Sequence, residues 1–450
     1  MKLSVAPMMN WTDRHMLALL RLVSPHAQLY TQMIHCAEVV RGDASRLKQA
    51  HRGVDVLDRD HSAPPTVLQL GGRDPVMMAD AAAECVDRFG YGEVNINVGC
   101  PSGRVESGAF GAALMREPTR VREIADAIAE RCAARGFSLP GGVTVKCRIG
   151  VVTQDEWRER RRVHSDGAPG SSTAAAAAAA AEAASTASRL DDSLRSFIDT
   201  VSQSGVVTSF TVHAREAVLG GLKARIDPRF NRTAPPLHHD VVGRFARDYP
   251  SLAVEANGGV ETLREAAQLS REWPQLRGVM LGRAVMASPF VLRQQLDPDD
   301  AAQLHGFEPR PAGSESVDDA LQLDERVAVA RSYANYITRS AAGAGATPEC
   351  SAHVLIRPTL NLFSAVPGGR AYRRRLAAAA IEASTLNTEP QRSGAVADAV
   401  LRAADDVVEA AKGAANAQQE ARRTDVESTG GATGGECCTL AQLSEEPTTC

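Results

Sequence analysis

TVLQLGGRDPVMMADAAAECVDRFGYGEVNINVGC, residues 66–100, contains the unit from which the fold is read. Its ends, TVLQLGG (66–72) and EVNINVG (93–99), are short and mostly apolar, as strands covered on both faces are. Between them Asp74 stands as a capping residue before Pro75, and 74–89 has helical periodicity. The alternation recurs along the chain. Further strand-like runs are KLSVAPMM (2–9), AQLYTQMI (27–34), VTVKCRIG (143–150), VTSFTVHAR (207–215), LAVEANGG (252–259) and GVMLGRA (278–284). Helical patterns intervene near 12–23, 35–50, 118–135, 190–204, 238–249, 261–272 and 284–295. Eight strand–helix units in roughly 300 residues predict an α/β protein, a closed (β/α)8 TIM barrel, since a doubly wound sheet more often has five to seven strands.

The barrel is expected over 1–296, interrupted at 163–189 by GAPGSSTAAAAAAAAEAASTAS and its flanks. Alanine favours helix, but this stretch has no apolar period, so it reads as a mobile insertion after strand 5. Residues 297–322 read as a linker and 323–384 as a small all-α helical domain. Residues 385–450 read as a helical extension whose Gly, Ser, Thr and Glu content beyond about 412 predicts a disordered tail.

A net charge of −4 excludes a global basic field, although a local patch remains open. The nine cysteines include no CxxC pair and no Cys/His spacing that suits zinc, so no metal is expected. Scattered cysteines suit a reducing compartment. Met1 runs straight into a strand-like segment and no apolar run is long enough to span a bilayer. A soluble, cytoplasmic, monomeric protein is the expectation.

Polar and small residues collect where the strands end, which in this fold is the catalytic face. They are Ala6-Pro7-Met8-Met9, Gln69, Asn97-Val98-Gly99-Cys100-Pro101, Lys146 and Arg148, His213-Ala214-Arg215, Asn257-Gly258-Gly259 and Gly282-Arg283. Taken singly, a strand-end Gly-Gly is an ordinary turn, the histidine a satisfied structural one, the lysine a partner of a core acid. Polar groups from seven strands aimed at one mouth are hard to explain by packing, because burying them unmatched costs free energy. The glycines after strands 7 and 8 stand where barrels often bind phosphate, with helix starts near Glu261 and Ala284 and with Arg283 as a charged partner. A flavin suits the deeper residues: Lys146 stabilises charge that reduction leaves on the ring, and Gln69 offers a donor and an acceptor. Cys100 then faces the ring across a substrate and supplies a proton, since an ordinary thiol is protonated at neutral pH. The competing reading of Cys100 is a small buried hydrophobe.

The motifs APMMNWTDRHMLALLRLVSPHAQLYTQMI (6–34), LQLGGRDP (68–75), NINVGCPSGRVESGAFGAALM (95–115), VTVKCRIG (143–150), VHAREAVLGGL (212–222), APPLHHDVV (234–242), EANGGV (255–260) and VMLGRA (279–284) resemble those of the tRNA-dihydrouridine synthases. The resemblance covers 3–295 and, more loosely, 324–376, and looks most like the bacterial A-type subgroup, which modifies position 20 and its neighbour in the D-loop. It implies a barrel followed by a helical domain that helps to hold tRNA, with FMN as cofactor and NADPH as reductant. It implies FMN binding by Pro7, Met8, Met9, Gln69, Lys146, His213, Asn257, Gly258, Gly259, Gly282 and Arg283. It implies that FMNH2 gives hydride to C6 of uracil, that Cys100 gives the proton to C5 and that Asn97 contacts the target nucleotide. Arg215, Arg225, Arg232, Arg370 and Arg373 stand as tRNA-contacting residues. Gly103 departs from the Asp common in the family, and the basic run Arg158–Arg162 before the insertion is either a solvated face or an added phosphate contact. A small-molecule ene or pyrimidine reductase on the same fold remains the alternative. The cluster Arg370, Arg373, Arg374 and Arg375 in PGGRAYRRRL (367–376) speaks for RNA, because it can track a phosphate backbone. A non-catalytic RNA-binding protein with structural FMN is the third reading.

Overall fold

The structure, a computed structural model, describes residues 1–42, 64–102, 108–165, 173–220, 229–294, 296–305, 315–342 and 351–430. In chain order the strands are β1 (Lys2–Val5), β2 (Gln28–Leu29), β3 (Ile34–His35), β4 (Leu68–Gly71), β5 (Glu93–Asn97), β6 (Gly142–Arg148), β7 (Val151–Thr153), β8 (Ser209–His213), β9 (Ala217–Leu219), β10 (Ala253–Asn257) and β11 (Gly278–Leu281). Nine of them form one parallel sheet in the order β2-β1-β11-β10-β8-β6-β5-β4-β3. Its two end strands belong to a single stretch, 28–35, and the Tyr30–Val67 bridge between them draws the sheet into a ring. The expected (β/α)8 TIM barrel is therefore present, with helices around it.

The expected second strand, 27–34, is split in two. The cause is local. Thr31 Oγ1 accepts the Gln69 amide at 3.0 Å, replacing a ladder bond, and the Gln32 amide turns away to the Thr12 carbonyl at 2.9 Å. The helix Pro75–Phe89 begins as the sequence predicts: Asp74 accepts from the Met77 amide at 2.8 Å, and Pro75 takes the first turn. β7 and β9 pair with each other beyond the ends of β6 and β8, adding a small rim to the catalytic face.

Three boundary expectations are corrected. The insertion is helical from Thr173, as the first part of a helix running to Ser202, whose later turns bury Leu190, Leu194, Phe197, Ile198 and Val201. A helix that is anchored at one end needs no apolar period at the other, and alanine propagates it cheaply. Residues 166–172 lie outside those described. The linker region holds a short helix, Pro298–Ala301, and the start of the helix Glu315–Ala342. The tail expected to be disordered beyond 412 continues as helix Glu389–Gly430, while 431–450 lie outside the described residues. Val396, Val400, Ala403 and Val407 form its buried face, at helical spacing, and it packs on the helices Glu315–Ala342 and Gly369–Ser384. Among the described residues no helix is long and apolar enough to cross a membrane.

Candidate active site

The barrel interior is polar at alternate positions. Glu93, Asn95 and Asn97 of β5, Thr144, Lys146 and Arg148 of β6, Thr211 and His213 of β8, and Glu255 and Asn257 of β10 share the strand period of two. Near the floor, Glu255 accepts from Ser4 at 2.5 Å and from Thr211 at 2.7 Å. A chain of side-chain bonds climbs from there to the mouth. Thr144 donates to Glu93 at 2.9 Å, Asn95 to Thr144 at 2.9 Å, Gln69 to Asn95 at 2.8 Å and Asn97 to Gln69 at 3.0 Å. Asn97 Oδ1 then accepts the amides of Gly99 and Cys100, at 3.2 and 3.1 Å.

At the mouth lies a cavity of about 1060 Å³, enough for a cofactor together with part of a substrate. Pro7, Met8 and Met9 line it from the end of β1, Gln69 from β4, and Asn97 and Cys100 from β5 and its loop. Lys146 comes from β6, His213 and Arg215 from β8, Asn257, Gly258 and Gly259 from β10, and Gly282 and Arg283 from β11. Arg232 reaches it from the short helix Phe230–Thr233. Every expected cofactor residue thus lies on this one surface. Arg370 and Arg373 do not; they stand on the helix Gly369–Ser384, exposed and half-buried respectively. Arg225 and Gly103 lie outside the described residues.

The thiol is held by its loop. Arg148, buried, donates to the Gly99 carbonyl at 2.9 Å and to those of Glu216 and Asn231 at 3.0 and 3.3 Å. Cys100 Sγ lies 3.5 Å from Ser102 Oγ. The half-buried thiol lines the cavity, so the reading as an interior hydrophobe is not met. Lys146 Nζ donates to Asn257 Oδ1 at 2.8 Å, and Asn257 Nδ2 to the Met280 carbonyl at 2.8 Å. Burial pushes the Lys146 ammonium down to about 8, with Arg148 adding repulsion. Burial, then Arg148, Lys146 and Arg215, hold His213 well below its ordinary value, so its ring is neutral at pH 7. Its Nδ1 is buried with no hydrogen-bond partner among the described residues. Gly258 and Gly259 turn beneath it at φ of 106° and 76°, conformations that favour glycine. The helix expected from Ala284 is only Arg283–Ala287, too short for a strong dipole, so attraction for an anion rests on the guanidinium groups.

Arg148 and Asn95 act here without having been assigned roles from sequence. The signal was present as alternation: each lies two residues from a named site residue on its strand. Two arginines of the basic run have described side chains, and both are paired. Arg158 pairs with Asp155 at 3.4 Å, and Arg160 with the buried Glu216 at 3.3 Å, where Arg189 also bonds at 3.0 Å. The side chains of Arg161 and Arg162 lie outside those described. Trp157 packs edge-on against Phe230 and steadies the helix that carries Arg232. Among the described residues no group of His, Cys, Asp and Glu gathers to hold a metal.

Comparison with known proteins gives this geometry its family. The profile described as dihydrouridine synthase (Dus) matches residues 4–168 and 186–328. This chain belongs to the dihydrouridine synthase family. The break in the match falls within the alanine-rich insertion, so that segment is an addition to the family core. A tRNA-dihydrouridine(20/20a) synthase of Xanthomonas campestris is 37% identical over 376 residues, 84% of this chain and 88% of its own. A protein of the same name from Xylella fastidiosa is 39% identical over 65% of this chain and 69% of its own. Another, from Shewanella oneidensis, is 35% identical over 83% of this chain and 87% of its own. The dihydrouridine synthases are enzymes, oxidoreductases by class.

Proposed function

We propose that this chain reduces a uridine of the tRNA D-loop, at position 20 or 20a, to 5,6-dihydrouridine, with FMN as cofactor and NADPH as electron donor. The observation that carries this reading is a thiol held by its main chain in the same cavity as a buried ammonium and a neutral imidazole. The residues present fit the cofactor. The Lys146 ammonium and the half-buried His213 ring, both lining the cavity, offer polar groups to ring heteroatoms. Gln69 retains one N–H and one lone pair beyond its bonds to Asn95 and Asn97. Arg283 beside Gly258 and Gly259 suits a phosphate. When bound and reduced by NADPH, the flavin would supply the hydride for C6 of uracil.

The chain's own part is positioning and proton transfer. Cys100 Sγ gives its proton to C5. The thiolate left behind lies close enough to Arg148 and Lys146 to feel both charges, and Ser102 Oγ faces it. Asn97 sets the loop through the Gly99 and Cys100 amides, so its role toward the nucleotide is shared with holding the acid. Arg215 and Arg232 at the mouth, and Arg370 and Arg373 on the distant helix, contact the RNA backbone in this reading. The test is Cys100→Ala assayed on tRNA lacking dihydrouridine. It keeps the flavin absorption and loses turnover by about 100-fold or more, as removal of a general acid does. Turnover equal to the parent protein would overturn the acid role.

A further inference from the structure

The loop Pro7–Trp11 lines the cavity, and its shape is fixed by the residue that follows it. Thr12 is fully buried. Its Oγ1 accepts the Met8 amide at 2.9 Å and donates to the Met8 carbonyl at 3.2 Å, and that carbonyl also accepts the Trp11 and Thr12 amides at 3.0 Å. Asn10 is held at a φ of 59° within this ring of bonds. Next in the chain, Asp13 caps the helix Arg14–Val23, accepting the amides of His15 and Met16 at 3.1 and 3.0 Å. Its other carboxylate oxygen pairs with Arg357, which is 344 residues away in sequence. Beside this pair the buried His15 ring meets Tyr336 Oη at 3.1 Å and Arg14 Nε at 3.0 Å. One turn after Arg357, Asn361 Nδ2 donates to the Met286 carbonyl at 2.8 Å. Met286 belongs to the helix Arg283–Ala287, which lines the cavity with Arg283, Ala284 and Met286.

A single turn of the C-terminal helical region therefore grips both segments that flank the end of β1 and the end of β11. β1 and β11 are neighbours in the barrel, so the two grips act on adjoining parts of one wall. We infer that Arg357 and Asn361 are positioning residues for the flavin, and that the helical region completes the cofactor site from outside the barrel. The inference rests on the FMN reading. Without Arg357, Asp13 is left as a buried carboxylate lacking its guanidinium, and the turn that precedes its helix loses its fixed base. Without Asn361, the helix carrying Arg283 is tethered at one end fewer.

The test is FMN affinity by fluorescence quenching of the full chain after flavin removal, with tRNA affinity of the flavin-loaded protein by filter binding. Arg357→Gln is expected to weaken FMN binding at least tenfold and Asn361→Ala at least threefold, each with tRNA affinity within twofold of the parent. Adding Asp13→Asn to Arg357→Gln removes the stranded charge while leaving a capping side chain, and is expected to recover part of the lost FMN affinity. If Arg357→Gln loses its helical circular dichroism, Asn361→Ala, at a half-buried site, decides the matter alone. FMN affinity within twofold of the parent in both folded variants overturns the inference while leaving the cofactor reading intact. Failure of the parent protein to bind FMN overturns both.

Discussion

Replacing Lys146 by Met removes a cation that the flavin-free barrel holds at a cost. The ammonium is pushed from 10.5 to about 8, chiefly by burial. At about 1.4 kcal/mol per unit, that is about 3 kcal/mol against the charged form. The figure is an upper limit, because one side of the group faces the cavity and its solvent. The substitution also strips Asn257 Oδ1 of its donor, which costs about 1–2 kcal/mol. Lys146→Met in the flavin-free protein should thus be more stable at pH 7 by about 1 kcal/mol. The advantage should fade as pH rises. Between about 8 and 10.5 the unfolded chain holds the Lys146 proton and the folded chain has released it, so the parent protein gains stability with pH relative to the variant. Urea unfolding of both proteins at pH 7, 8, 9 and 10 reads the difference, in which groups common to the two, such as the raised Tyr30, cancel. A variant less stable at pH 7, or a difference that does not change with pH, would refute the claim that burial governs this lysine.

The same buried charge should show in ligand binding. Reduced FMN carries negative charge on its ring, so its affinity for the parent protein should fall above pH 8, by up to tenfold per pH unit, and this slope should vanish in Lys146→Met. Arg370→Ala combined with Arg373→Ala should weaken tRNA binding and shallow its salt dependence without altering FMN affinity, since neither residue lines the cavity; filter binding over a salt series checks it. Gly259→Ala should destabilise the protein by about 1–2 kcal/mol in urea unfolding, because φ is 76° there and the added methyl meets Leu237.

The barrel was legible because most strand residues that face the helices are Val, Ile, Leu or Ala, and the site because its polar residues crowd the strand ends. Two features were hidden. The linkage from Asp13 to Arg357 spans 344 residues, and no local pattern announces which arginine will meet a capping carboxylate. The tail was misjudged because composition measures how polar a segment is, not whether one face of it is apolar; Val396, Val400, Ala403 and Val407 carry its packing while the rest of the helix stays polar.

A subtler loss came from reading the strands as mostly apolar, which passes over their polar inner row. In EVNIN the residues alternate, with Val94 and Ile96 toward the helices and Glu93, Asn95 and Asn97 inward. That inner row has a direction. Glu93 can only accept when ionised, so Thr144 donates to it; Thr144 Oγ1 must then accept, and Asn95 turns its NH2 toward it. Asn95 Oδ1 is left for Gln69 Nε2, Gln69 Oε1 for Asn97 Nδ2, and Asn97 Oδ1 for the amides of Gly99 and Cys100. A carboxylate at the floor and two main-chain N–H groups in the loop that carries the thiol thereby agree on which way each amide faces. Burial raises Glu93, with Lys2 and Thr144 opposing, so the floor's share in that order lasts only while the carboxyl stays ionised. Protonation at Glu93 frees Thr144 to rotate, while the Gly99 and Cys100 amides, which can only donate, still hold Asn97 Oδ1 and through it Gln69. The orientation of the Gln69 amide at the cavity is consequently a property of the whole column of side chains rather than of Gln69 itself.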